Sequence, residues 1–353
     1  MFKLITAYRS VIIDEMLKFI DGFKVEASNI TSSRWYFDAI DRISIFSTSG
    51  KMIRGGLILF TEEMFRGNYS KDGVYLAIAT ELLQSALLIH DDIMDKDTVR
   101  RGHKTIFFQY KEVGDKEGVK DSYHFGESVG ICVGDIALAL CFKSIGYVSN
   151  ARVINSIVKK LGLELSIVSG GQMEDMYLSS SDYIPTEEEV ISMYKMKTSR
   201  YSFSLPFGLG AILSEVDDKV IELLESLGED LGIIFQIHDD EIGLFSNQET
   251  IGKPIGSDIK ENKKTLFFVY LMRLATENEK TKLSKIFGNE NITKEEVKVV
   301  LELIEKYKIR EIVLKRKEEF ANKAKEKISL LPVEDKYKKQ LFELIDYNLS
   351  RNK

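Results

Sequence analysis

The run VYLAIATELLQSALLIHDDIMD, residues 74–95, decides the reading of this chain. Residues 82–89 form an apolar helical pattern that ends in Asp91-Asp92 and continues to Asp95. On one helix Asp91 and Asp95 stand at i and i+4 on the same face, with Asp92 beside them. The tetrad Ile89-His90-Asp91-Asp92 returns as Ile237-His238-Asp239-Asp240, behind a second apolar pattern at 231–237. Carboxylates packed this closely repel one another unless a cation sits among them. Sites made only of carboxylates suit hard cations such as magnesium, which keeps waters and shares its shell with substrate phosphates. A lone Asp-Asp pair near a helix end reads as a cap or a solvated face. Two copies behind apolar helices read as metal ligands, because buried faces do not carry acids without partners. His90 and His238 read as core histidines and are not assigned as ligands.

Working outward, the chain has 353 residues, of which 44% are hydrophobic and 29% charged, a balance that excludes disordered and fibrous classes. Its 4 prolines are Pro185, Pro206, Pro254 and Pro332, so the first 184 residues have none and long unbroken helices are expected. Apolar residues recur at helical spacing in Leu161, Leu165 and Val168, and in Ile221, Leu224, Gly228 and Leu231. Asp21-Gly22 and Asp72-Gly73 read as connections between helices. The polar stretch 111–127, with Gly114, Gly118 and Gly126, reads as a loop. Another loop at 179–185 precedes a helix start at Thr186-Glu187-Glu188-Glu189. Lys and Glu from 274 to the C-terminus read as solvated helix faces. The expectation is one all-α domain, 1–353. The net charge of -6 argues against sequence-independent nucleic-acid binding. Cys132 and Cys141 lie in an apolar run and read as buried reduced thiols. The first twenty residues mix charges into an amphipathic helix and do not resemble a signal peptide. The apolar run 74–89 is interrupted by Thr80, Glu81, Gln84 and Ser85 and is short for a membrane span. A soluble cytoplasmic protein is expected.

Basic residues accompany the acids. Lys51 and Arg54 sit at i and i+3, read as one helical face. Arg100 and Arg101 follow the first acidic cluster within three turns. Lys197 lies in Lys195-Met196-Lys197-Thr198, and Lys253 and Lys263 follow the second cluster. Carboxylates for magnesium with several nearby cations suit a diphosphate, which Arg grips bidentately and Lys meets as a point charge. No P-loop and no dinucleotide fingerprint is present.

These residues bring the chain to a known family. It resembles the trans-isoprenyl diphosphate synthases, or polyprenyl synthetases, of the type that makes geranylgeranyl diphosphate. The likeness runs in order from about Gly50 to Thr265, and more weakly to the C-terminus. Gly50-Lys51 with Arg54 is similar to the family's early Gly-Lys-x-x-Arg block. Asp91-Asp92-Ile93-Met94-Asp95 followed by Arg100-Arg101-Gly102 resembles its first aspartate-rich motif. Gly134-Asp135, Gly171-Gln172 with Asp175, and Lys197-Thr198 resemble its middle blocks. Phe235-Gln236 before Asp239-Asp240 resembles its second aspartate-rich motif, and Gly252-Lys253-Pro254, Asp258 and Lys263-Lys264-Thr265 the block after it. Three positions depart from the pattern. Gly243 replaces a third aspartate, Gln84 stands where members often carry histidine, and Gly55 replaces a proline, which is expected to affect only local backbone. An aspartate restored at 243 is expected to be tolerated.

The resemblance implies an isoprenoid synthase-type helical bundle with a deep central cavity, its two acidic motifs facing each other across the mouth. It implies about three magnesium ions held by Asp91, Asp92, Asp95, Asp239 and Asp240. It implies isopentenyl diphosphate on Lys51, Arg54 and Arg101, with Gln84, and the allylic diphosphate on Arg100, Lys197 and Lys253; Lys263 is a further substrate-binding candidate. Lys197, Thr198 and Gln236 are the catalytic candidates, the last two presenting dipoles near an allylic cation. Leu83, Ala86 and Leu87, one to two turns before Asp91, are expected to set product length. Neither Ala86 nor Leu87 is aromatic, so a twenty-carbon product is expected ahead of a fifteen-carbon one, with longer products as the alternative. A homodimer is expected. A terpene cyclase of the same architecture and a non-catalytic modulatory subunit are the other readings; intact Asp239-Asp240 speaks against the first, and the near-complete set of motif residues against the second.

Overall fold

The computed structural model describes residues 3–245 and 256–350, with side chains from residue 7 onward. Helices make up nearly all of it: α1 (Lys3–Ser28), α2 (Arg34–Thr48), α3 (Ile53–Arg66), α4 (Lys71–Met94), α5 (Ile106–Glu117), α6 (Ser122–Ile145), α7 (Ile154–Ser180), α8 (Glu187–Tyr194), a π-helical stretch (Lys195–Ser204), α9 (Leu205–Leu213), α10 (Asp218–Phe245), α11 (Ser257–Lys260), α12 (Leu266–Leu274), α13 (Glu277–Ile286), α14 (Lys294–Lys306), α15 (Ile309–Leu330) and α16 (Asp335–Ser350). The only strands among the described residues are β1 (Val99–Arg100) and β2 (His103–Lys104), an antiparallel pair. The chain forms two compact units. One is Met1–Ser156 with Leu209–Glu215; the other is Ile157–Gly208 with Val216–Lys353.

The first unit is built on α4, which packs against α6 and also against α1, α2, α3 and α5. Without proline, α1, α4 and α6 run unbroken for 26, 24 and 24 residues. The start of α4 is fixed twice. The Ser70 hydroxyl accepts from Gly73 N at 3.1 Å, and the fully buried Glu62 of α3 accepts from Ser70 N at 2.9 Å. The body of α4 is apolar and buried, and its interrupting Thr80, Glu81, Gln84 and Ser85 are buried with it. By length and composition α4 and α6 could each cross a membrane, which the run 74–89 alone had not suggested. The apolar window of α4 is 78% buried, as in a core helix, and that of α6 44%.

The second unit is built on α10, which packs against the π-helical stretch, α8, α11, α15 and α16. Its 28 residues carry Leu224, Gly228 and Leu231 inward, as the spacing predicts. The loop after α7 ends where expected, at a capping box: Thr186 accepts from Glu189 N at 3.3 Å while Glu189 accepts from Thr186 N at 2.7 Å.

Several expectations are corrected. Residues 111–127 are not a loop. They are the end of α5 and the start of α6, separated only by 118–121. A Lys111–Asp115 pair at 2.6 Å supports α5, and Asp121 caps α6 by accepting from His124 N at 3.0 Å. The stretch is polar because its helices show solvent one face. Asp21-Gly22 lies inside α1 and Asp72-Gly73 in the first turn of α4, neither of them between helices. Cys141 is buried but Cys132 is exposed, because it lies on the face of α6 turned away from the core. Arg100 and Arg101 are not on helical turns; they lie on the hairpin of β1 and β2.

Two substitutions of opposite sign check these assignments. Thr186→Ala removes a cap and is expected to lower stability by about 1 kcal/mol. Gly162→Ala, in α7 with nothing near an added Cβ, is expected to raise it by about 0.5–1 kcal/mol. Thermal melts of both variants read the two signs.

Candidate active site

Asp91-Asp92 falls in the last turn of α4, and Asp239-Asp240 lies more than a turn before Phe245 in α10. The negative end of a helix dipole is an unfavourable place for acids. In the first unit Arg100 answers this. Its guanidinium pairs with Asp92, lies 3.2 Å from Asp91 and 3.9 Å from Asp97. Asp92 has no exposure, and its Oδ2 has no hydrogen-bond partner. Burial pushes its carboxyl up to about 7 in spite of Arg100. Asp95 ends α4 as its C-cap.

The hairpin separates the two arginines. Arg101 (φ 53°) and Gly102 (φ 77°) are both left-handed, as a two-residue type I′ turn requires. Arg100 therefore joins the acids, while Arg101 reaches Ser49 Oγ at 3.3 Å, beside Gly50. Arg9 of α1 donates to Gly50 O at 3.0 Å and Thr48 O at 3.3 Å, which fixes the segment leading to Lys51. Lys51 is not on a helical face with Arg54: Met52 is left-handed (φ 56°) and α3 begins only at Ile53. Burial, Arg100 and Arg54 all press the Arg101 guanidinium downward, and Glu81 opposes them. So Arg54, Arg101 and Glu81 form one charge cluster. Gln84, one turn further along α4, is 9% exposed, with Oε1 unpartnered.

In the second unit Asp240 is held by neutral dipoles. Thr198 Oγ1 donates to Gln236 Oε1 at 2.7 Å, Gln236 Nε2 donates to Asp240 Oδ1 at 2.8 Å, and the Tyr194 hydroxyl donates to Asp240 Oδ2. Leu266 N donates to the same Tyr194 oxygen at 3.2 Å. Thr198 thus spends its proton on Gln236 and keeps its oxygen lone pairs. Asp240 is pushed up to about 8, first by burial and then by the neighbouring charge of Asp258. The missing third aspartate has a counterpart: a Cβ on Gly243 would meet Asp258 Oδ2 at 2.7 Å. The end of the Asp258 side chain, on α11, occupies that corner and must turn aside for any side chain added at 243.

Lys197 pairs with Asp175 of α7, both partly or fully buried. It sits in the π-helical stretch, whose wide turn was not legible from sequence. Close backbone approach holds that turn in place. A Cβ on Gly171 would lie 2.5 Å from Lys197 N, and one on Gly232 would lie 2.2 Å from Ser199 Cα. Arg200 clamps the same stretch to Glu164 through two bonds, at 3.0 and 2.5 Å. Lys263 lies 3.3 Å from Glu261. Lys253 lies outside the described residues. Leu83 and Ala86 are buried on α4, and Leu87 is half-buried. His238 is buried and bonds to Glu241 at 3.3 Å, as a core histidine; His90 is half-buried and bonds to Ile131 O at 3.2 Å, so it is not a core histidine. The sequence assigns no role to Glu81, Tyr194 or Arg200; Glu81 shows only as a charge inside the apolar run 74–89, and nothing in the spacing of Tyr194 or Arg200 marks them.

No three acidic, histidine or cysteine side chains among the described residues converge as a ready cage. The residues nevertheless fit a hard cation. An orphaned buried carboxylate oxygen on Asp92 and two carboxyls driven upward by burial are groups that a divalent ion would ionise and satisfy.

A family model described as polyprenyl synthetase matches residues 35–304. A short chain isoprenyl diphosphate synthase of Methanocaldococcus jannaschii is 31% identical over 274 residues, 76% of this chain and 78% of the relative. A geranylgeranyl diphosphate synthase of Saccharolobus solfataricus is 31% identical over 313 residues, 88% and 89% of the two chains. A crystal structure of geranylgeranyl pyrophosphate synthase from Corynebacterium glutamicum, complexed with isoprenyl diphosphate and magnesium, superposes with a TM-score of 0.91 at 26% identity, covering 98% of this chain and 99% of that one.

The raised carboxyls give a pH test. Asp92 and Asp240 bind protons more tightly folded than unfolded, so between about pH 4 and pH 7–8 they cost the metal-free fold stability as pH rises. Magnesium competes with those protons. Melts with chelator and with magnesium are expected to differ more at pH 8 than at pH 5; an equal difference would place the ion elsewhere. Gly243→Asp is expected to lower the melting temperature in chelator.

Proposed function

The chain belongs to the polyprenyl synthetase family, and from that premise we propose that it joins isopentenyl diphosphate head to tail to an allylic diphosphate, giving a linear trans-polyprenyl diphosphate, namely geranylgeranyl diphosphate. The observation that carries this reading is the division of labour on the hairpin. Arg100 joins an acidic cluster suited to a metal-bound diphosphate, while Arg101 joins Arg54 near Gln84 in a cluster suited to a second anion. A condensation of two diphosphates needs two such places.

Asp91, Asp92, Asp95, Asp239 and Asp240 would hold magnesium, whose charge would lower the cost of releasing diphosphate. Lys51, Arg54, Arg101 and Gln84 bind isopentenyl diphosphate; Arg100, Lys197 and Lys253 are assigned to the allylic diphosphate, with Lys263 as a further anion-binding group. The allylic carbon–oxygen bond breaks and its electron pair leaves with diphosphate. The isopentenyl double bond attacks the cation, and the proton that restores a double bond passes to the departing diphosphate. Thr198 lone pairs, freed because its proton goes to Gln236, and the Gln236–Asp240 dipole chain stabilise positive charge nearby without forming a bond to it. Lys197 is oriented by Asp175 and the π-helical turn.

The product tail runs back along α4 from Asp91, at about one isoprene unit per helical turn of ~5.4 Å. Ala86 is a small buried side chain on this path, where a large one would close it, which supports a twenty-carbon product. We read the chain as a single catalytic domain working as a cytoplasmic homodimer. Ile131 and Phe142, 48% and 43% exposed on one face of α6, are the surface a second copy would cover. Light scattering tests the dimer.

Asp91→Asn and Asp239→Asn are expected to lower turnover by several orders of magnitude with the fold intact, and chelation to abolish a turnover that magnesium restores. Full activity in chelator would end the magnesium mechanism. Ala86→Phe is expected to shorten the product by at least one isoprene unit and Leu83→Ala to lengthen it. Product chromatography reads both, and an unshifted product would move the length-setting wall elsewhere.

A further inference from the structure

The start of α3 has a capping problem. Met52 occupies the N-cap position in a left-handed conformation, and its side chain makes no cap bond. The first helical bond that closes this turn runs from Gly56 N to Met52 O at 2.9 Å. The amides ahead of it need an acceptor from elsewhere. Glu81 of α4 provides it: Gly55 N donates to Glu81 Oε1 at 2.8 Å, and the Arg54 amide bonds to the same carboxylate. Glu81 is 5% exposed, and the charges that act on it are those of Arg54 and Arg101.

We propose that Glu81 is the positioning residue of the isopentenyl diphosphate subsite, capping the start of α3 and countering the mutual repulsion of Arg54 and Arg101 so that both guanidiniums hold the geometry a diphosphate requires. The inference rests on the assignment of Arg54 and Arg101 to isopentenyl diphosphate made above. A carboxylate at a helix N-terminus is favourable in itself, and it occupies amides that could otherwise bind an anion. The diphosphate is therefore left to the side chains of Lys51, Arg54, Arg101 and Gln84. Gly55 has a part in this. Proline at 55 would have no N–H to give to Glu81, so a proline-to-glycine difference here adds a hydrogen bond and is more than a local backbone change.

Steady-state kinetics on the full-length enzyme with each substrate varied in turn decides it. Glu81→Gln keeps the shape and an acceptor oxygen but removes the charge. The expected result is a rise of about tenfold in KM for isopentenyl diphosphate, with KM for the allylic diphosphate and kcat within about twofold. An unchanged or lower KM for isopentenyl diphosphate, or equal losses for both substrates, would overturn the proposal. Should Glu81→Gln fail to fold, Gly55→Pro against Gly55→Ala isolates the bond. An added Cβ meets Ile12 Cδ1 at 3.0 Å and Ala77 Cβ at 3.1 Å in both variants, but only proline removes the donor. Proline is expected to raise KM for isopentenyl diphosphate several-fold above alanine; equal values would overturn the proposal. Arg54→Gln separates the two claims. If it leaves that KM unchanged, the subsite assignment falls and the inference with it. If it raises that KM while Glu81→Gln does not, the inference alone falls.

Discussion

Burying a carboxylate is the constraint to which the rest of this structure answers. Asp92 and Asp240 both sit away from water, Asp92 in the last turn of α4 at the unfavourable end of its dipole and Asp240 within α10. An ion so placed costs several kcal/mol unless something compensates it. The two units solve the problem differently. In the first, a full charge is brought in on the hairpin by Arg100; in the second, Tyr194 and Gln236 offer dipoles and Asp240 holds its proton to about 8. Each solution leaves a group that a divalent cation would satisfy better. In that sense the apolar bodies of α4 and α10 serve to hold strained charge.

Backbone placement follows from the same need. The proposed reaction needs Lys197 and Thr198 held rigidly, because groups that stabilise charge do so only where they are aimed beforehand. The π-helical turn sets them, and it survives because Gly171 and Gly232 let neighbouring helices lie against its backbone while Glu164 and Glu229 hold Arg200. Wide turns of this kind are rarely stable without such support. The hairpin is the counterpart in the first unit. The left-handed Arg101 is tolerated because the turn directs adjacent arginines to different neighbours.

Much of this was open to reading from sequence. The repeated Ile-His-Asp-Asp tetrad, the absence of early proline and the Thr186 capping box depend on spacing along one element, and all three are where the spacing puts them. Residues 111–127 failed because polar composition marks solvent exposure and not the absence of a helix; Lys111 and Asp115 support the turn that their polarity seemed to deny. Lys51 failed because a left-handed Met52 interrupts the face it was to share with Arg54.

The sequence by itself determined the all-α class, the two acidic tetrads, the supply of basic groups and the family. Each of these is carried by neighbours in the chain or by the order of motifs along it. The tertiary structure alone decided that Glu81 caps α3, that Asp258 fills the corner beside Gly243, that Tyr194 binds Asp240, and that Arg100 and Arg101 part company. Those pairings join residues from different elements, or depend on a turn that twists adjacent residues apart. Contact between residues distant in the chain is set by how helices pack, and no periodicity within a single helix encodes it.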